Sequence, residues 1–309
     1  MDIRLPKHSI EKFYFDFNAL VEHLSNWALR SFEIKKLHQY TKGKGVKVLV
    51  CDTGCTHSDI HPVKVKDFTG KNDPTDKNFH GTWVSGVIAA NGKFLGIAPE
   101  AELYVAKVLN DDGRGSYSWL ANGLEWGLEE DVDIVNLSLG GEANSETIKQ
   151  ICNEYDKRGK IIFCAAGNDS DPIDFPAKLQ STIAVGAVNK SWHRAYFSDY
   201  GPRLIVMAPG TDLLGPYANN GYARLSGTSM ATPLVAGITA LKKSLVSDLN
   251  KEKCIEYFKK TCKDIGKPGF DEKTGYGVIQ PGKFLNIKES TQKKGWLWWL
   301  VALILLFLK

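Results

Sequence analysis

No stretch of this 309-residue chain concentrates lysine and arginine. That removes the cationic face that binding DNA or RNA requires. The 39 basic and 35 acidic residues nearly cancel, leaving a formal charge of +4. Met1 to Phe17 mixes charged and aromatic residues without a continuous apolar run, so it does not read as a secretory signal peptide. No internal repeat is present. His57 and His61 are spaced i,i+4, but His-Glu-x-x-His, the zinc-hydrolase motif, is missing. The six cysteines are even in number. A chain this long needs no disulfide staples, and Cys51 and Cys164 each end an apolar run, so free thiols are expected. Together these features point to a reducing, cytoplasmic side.

Hydrophobic residues make up 43% and charged residues 24% of the chain, with 29 glycines. That is the make-up of a globular α/β enzyme with many tight turns. Three parts are expected: an N-terminal extension over 1–26, a body of alternating strand-like and helix-like segments over 27–288, and a linker with an apolar tail over 289–309. Within the body, short apolar runs predict strands at Val46–Cys51, Leu103–Val108, Ile134–Leu139, Ile161–Ala165, Ile183–Val188 and Leu204–Ala208. Helices are expected between them, at Thr82–Ala90, Ser118–Glu129, Ser145–Arg158 and Met230–Val246. This alternation predicts a doubly wound, mostly parallel sheet with helices on both faces. In such sheets the site lies beyond the carboxyl ends of the strands.

Four strand or helix ends carry chemistry. Asp52 follows the first strand. His80 opens His80-Gly81-Thr82, before a helix of small residues. Asn168 follows Ala165-Ala166-Gly167. Ser229 stands in Gly227-Thr228-Ser229-Met230-Ala231-Thr232-Pro233. Each alone reads better as a cap, a turn residue or a packed histidine. As a set they supply the orienting acid, general base, oxyanion donor and nucleophile of acyl transfer. The chain order Asp, His, Ser differs from that of chymotrypsin-like and α/β-hydrolase enzymes.

On these motifs the chain resembles the subtilisin family, and most closely in character its bacterial intracellular members. Val46–Gly54, His80–Ala90, Leu95–Pro99, Tyr104–Leu109, Asn136–Gly141, Ala165–Asn168, Gly227–Pro233 and Gly275-Tyr276-Gly277 with Ile279 all match. The resemblance implies a serine endopeptidase acting on protein or peptide substrates. Asp52, His80 and Ser229 would form its triad, and Asn168 its oxyanion donor. It also implies that a substrate strand pairs with Gly113-Arg114-Gly115 and Ser138-Leu139-Gly140. The P1 pocket would have its wall at Ala165–Gly167, its rim at Asp169 and its base at Asp174. Two acids there would favour Lys or Arg at P1; the plain alternative is a pair of solvated loop acids. An esterase, or a catalytically silent peptide-binding module, are the competing functions.

The chain departs from the family between Ala90 and Leu95, where only Asn91-Gly92-Lys93-Phe94 stand in place of a longer calcium-binding loop. Asp59 matches another ligand of that site, but too few oxygens remain for a strong calcium site. Weak sites stay undecided, and no other cofactor or metal is expected. Trp83 stands where the family carries a smaller residue, which suggests a packing variation. The extension, with Phe13–Phe17, either covers the cleft or docks elsewhere on the surface. The apolar run 296–308 would span about 20 Å as a helix, against about 30 Å for a bilayer core. Its three tryptophans and the flanking Lys293 and Lys294 suit membrane association through residues 296–308, whether spanning or only inserted. Docking on the domain is the alternative.

Overall fold

The computed structural model describes residues 2–7, 9–14 and 26–287. The apolar tail 296–308 and the aromatic residues 15–17 lie outside these. In chain order the strands are β1 (Asp2–Arg4), β2 (Ser9–Tyr14), β3 (Lys47–Asp52), β4 (Lys64–Asp67), β5 (Glu102–Lys107), β6 (Arg114–Ser116), β7 (Ile134–Leu137), β8 (Ile161–Ala165), β9 (Ile183–Val188), β10 (Leu204–Pro209), β11 (Leu213–Pro216) and β12 (Tyr222–Ser226). Seven of them form one parallel sheet in the order β10-β9-β8-β7-β3-β5-β4.

β3 lies at the centre of the logic. Its side chains alternate between two apolar layers: Val48 and Val50 face one, Leu49 and Cys51 the other. Period-two alternation with both faces buried is what a helix-covered sheet requires. The first layer also holds Val84 and Val87 of the helix His80–Ala89, with Leu234 and Val235 of Thr228–Leu245. The second holds Leu120 and Leu124 of Tyr117–Glu129, with Ile151 and Tyr155 of Glu146–Lys157. After β3 the chain builds β5 on one side and then returns to add β7 on the other. The strand order thus reverses beside β3, and ligands collect beyond the strand ends at such a point.

All six expected strands are present. β4 was not expected: Lys64-Val65-Lys66-Asp67 has no apolar run, because it is an edge strand whose lysines face solvent. The hairpin β11–β12 and the helix Lys251–Thr261 were not expected either. The four expected helices appear with ends within two residues of those expected. Ser145 caps Glu146–Lys157, its hydroxyl accepting from the Ile148 N–H.

Candidate active site

Asp52 ends β3 and is fully buried. His80 is also fully buried and begins its helix rather than preceding it. The His80 Nδ1 lies 2.9 and 3.0 Å from the two Asp52 carboxylate oxygens. Gly81 allows this closeness: a side chain there would run into the Gly54 carbonyl and the Asp52 Cβ. Asp76 holds the start of the helix. One of its oxygens accepts from the Asn78 and Phe79 N–H groups, the other from the Thr82 N–H and hydroxyl. Those amides have no partner within the helix. The buried Lys107 ammonium donates to the Thr53 and Thr75 carbonyls and to Asp111, which fixes the turn after Asp52.

Ser229 is the second residue of the helix Thr228–Leu245, and its N-cap is Gly227. Ser229 is therefore not a capping serine. Its Oγ donates to the Ser138 carbonyl at 3.1 Å, while the Ser138 hydroxyl donates to the Ser229 carbonyl at 3.0 Å. That carbonyl is available because Pro233, four residues on, has no N–H to bond it. Asn136 Nδ2 in turn donates to the Ser138 hydroxyl. The Asn168 carbonyl oxygen accepts from both the Thr228 N–H and hydroxyl at 2.8 Å. Its amide N–H group is thereby aimed at the space beside Ser229.

The chain's own N-terminus fills that space. β1 runs antiparallel to β6, with Ile3 opposite Gly115 and Arg4 opposite Arg114. Arg4 exchanges both backbone hydrogen bonds with Gly140, at 3.0 and 3.1 Å, and the Leu5 N–H donates to the Gly113 carbonyl. Residues 2–5 thus lie between Gly113–Gly115 and Ser138–Gly140. Ile3 is fully buried in the layer with Leu120, Leu139 and Ile148. The Lys7 carbonyl accepts from Asn168 Nδ2 at 2.6 Å, and its ammonium pairs with Asp169 at 2.6 Å. Beyond it, β2 pairs with β12.

Asp174 stands beside Gly167 of the expected P1 pocket and Gly140 of the expected substrate-pairing segment. Its Oδ2 is 3.4 Å from where a Gly140 Cβ would be and 3.1 Å from where a Gly167 Cβ would be. Burial pushes its carboxyl up to about 6; Asp169 and Glu142 add to this, while Arg4 and Lys178 oppose it. Ala165 is buried and Asp169 is exposed. Trp83 is fully buried, its Nε1 donating to the Ala223 carbonyl.

The sequence reading missed Ile3–Lys7 as cleft residues, and Asp76 and Lys107 as supports. Ile3, alone in a polar segment, gives no periodic signal. Asp76, four residues before His80, could have been found as a capping acid. The Asp59 carboxylate accepts from the Lys93 and Phe94 N–H groups and the Tyr222 hydroxyl. His57 Nδ1 accepts from the Asp59 N–H, so its Nε2–H faces the Gly221 carbonyl. Among the described residues no cluster of three or more metal-binding side chains occurs.

Comparison with known proteins agrees with this geometry. Residues 43–277 match the family model described as the Subtilase family. The chain is 40% identical over 236 residues to Subtilisin DY of Bacillus licheniformis, covering 73% of this chain and 86% of that protein. It is 42% identical over 230 residues to Subtilisin BL of Lederbergia lenta, covering 72% and 86%. It is 37% identical over 248 residues to the Thermostable alkaline protease of Halalkalibacterium halodurans, covering 78% and 68%. The chain belongs to the subtilase family and is a subtilisin-type serine endopeptidase.

Proposed function

We propose that Ser229 is the nucleophile of this endopeptidase, and that residues 2–7 hold its cleft closed in the full chain. The observation that carries both is the peptide carbonyl of Lys7, bound by Asn168 Nδ2 at 2.6 Å beside Ser229. In the reaction, Ser229 Oγ bonds to the scissile carbonyl carbon and its proton passes to His80. Asp52 holds the imidazole through Nδ1 and stabilises the cation that forms. Asn168 and the Ser229 backbone N–H take the charge on the carbonyl oxygen. The C–N bond then breaks, His80 protonates the leaving amine, and water repeats the sequence on the acyl-enzyme.

The N-terminal strap resembles a substrate up to a point. Antiparallel pairing that begins at Arg4 and Gly140 would bring residue 6 opposite Ser138, its N–H donating to the Ser138 carbonyl. Residue 6 is a proline and has no N–H. Ser229 Oγ donates to that carbonyl instead, and the carbonyl at Asn168 belongs to residue 7. The strap therefore binds out of register at the reacting centre. A fluorophosphonate probe is expected to label a chain whose strap is released by Ile3→Asp, and not the same chain carrying Ser229→Ala. Equal labelling of both would sink the assignment.

The finer reading is a preference for Lys or Arg at P1, supported by the position of Asp174 and by the Lys7–Asp169 pair. The sequence supports bilayer attachment through residues 296–308, with the body on the cytoplasmic side. No helix among the described residues is long and apolar enough to cross a membrane. The six thiols are free, four of them buried, as suits a reducing compartment. Flotation of the full chain with anionic vesicles tests attachment; a chain that stays at the bottom of the gradient rules it out.

A further inference from the structure

Asp199 is 2% exposed. One of its oxygens accepts from the Asp169 and Asp171 N–H groups at 2.9 and 3.0 Å. The other, Oδ2, occupies the space that a Gly167 Cβ would need. Gly167 has φ of +119°, so both its backbone and this oxygen require glycine there. Asp174 Oδ2 converges on the same point from the pocket side, at 3.1 Å. Only a residue without a side chain separates the two carboxylates. Among the described residues neither Asp199 Oδ2 nor the Asp174 carboxylate receives a hydrogen bond. Asp199 is buried and Asp174 half-buried, so a donor that enters the pocket would replace water at these oxygens. An ammonium or guanidinium supplies several donors and a positive charge.

We propose that Asp199 is a second carboxylate of the P1 pocket, acting with Asp174 across Gly167, and that together they make the preference for basic P1 residues strengthen as pH rises. This rests on the basic-P1 reading above. Burial holds both carboxyls up to about 6. The charged groups facing Asp174 are Arg4 and Lys178, which favour ionisation, and Asp169 and Glu142, which oppose it. Those facing Asp199 are Asp174 and Asp169, both opposing, while the two amides favour ionisation. Below about 6 the pocket is largely neutral and polar. Above it, both acids ionise and attract a cation.

The measurement is the ratio of kcat/KM for two peptide substrates that differ only in Arg or Phe at P1. Closure by the strap, or ionisation within the triad, scales both substrates alike and leaves the ratio untouched. In the full wild-type chain the Arg/Phe ratio is expected to rise about tenfold between about pH 5 and about pH 8. Asp199→Asn keeps an oxygen for the two amides and is expected to lower the ratio about tenfold at high pH. It should also flatten the profile. A wild-type ratio that favours Phe and does not change with pH overturns the basic-P1 reading and this inference with it. A wild-type rise that Asp199→Asn reproduces in full overturns the role of Asp199 alone, leaving it a turn support. If Asp199→Asn does not fold, Asp199→Ser serves as the second variant under the same criterion.

Discussion

Pro233 removes one N–H from the helix that carries Ser229, and the effect reaches the cleft. The freed Ser229 carbonyl is taken by the Ser138 hydroxyl, and Asn136 holds that hydroxyl. Ser138→Ala leaves a buried carbonyl unbonded, at a cost of about 1–3 kcal/mol. Both Tm and kcat are expected to fall; an unchanged kcat in a steady-state assay would show that the pin does not position the nucleophile. Asn168→Ala removes the donor beside Ser229 and is expected to lower kcat about 10²–10³-fold. The four residues proposed to carry the reaction were legible because each stands at a strand or helix end in a distinctive short motif. Asp199 was not. Its role depends on backbone amides in a turn that only folding brings to it, and a single aspartate carries no sign of that.

The elements divide in the same way. The six apolar strands were legible because burial on both faces demands uninterrupted Val, Ile, Leu and Ala. β1 and β4 were not, since their pairing comes from backbone groups that any sequence possesses. β1 nevertheless has one anchor, Ile3, which is fully buried. Ile3→Asp would place a charge in that apolar layer, so the strap should release and the initial rate on a short substrate should rise. A rate equal to wild type would mean that the strap does not limit access. Pro6→Ala restores the N–H that faces Ser138 and makes the strap a better-registered substrate. Mass spectrometry is expected to find cleavage within residues 6–8 in this variant and less in wild type; equal cleavage would mean that proline is not the block.

On the scale of the whole molecule, the acidic pocket has a cost in stability. Asp174 and Asp199 ionise less readily in the fold than in the unfolded chain. They contribute stability that is present in acid and lost as pH rises through about 6. Asp199→Asn should therefore raise stability by about 1 kcal/mol at about pH 8 and not at about pH 4, read from thermal melts. A gain that is the same at both values would contradict a titrating origin. The Asp59 carboxylate, which two backbone amides and the Tyr222 hydroxyl already engage, leads to a second expectation. Micromolar calcium should leave Tm unchanged, and a rise of several degrees would reveal a strong site.

The strap and the cleft belong to one covalent chain, and this sets how inhibition responds to concentration. A tethered ligand competes at an effective concentration on the order of millimolar, however dilute the protein. A free peptide substrate has to exceed that value, weighted by the two affinities, to enter. A single chain break between Tyr14 and Asn26 turns the strap into a separate peptide of the same sequence. Dilution then removes it, whereas dilution does nothing to the intact chain.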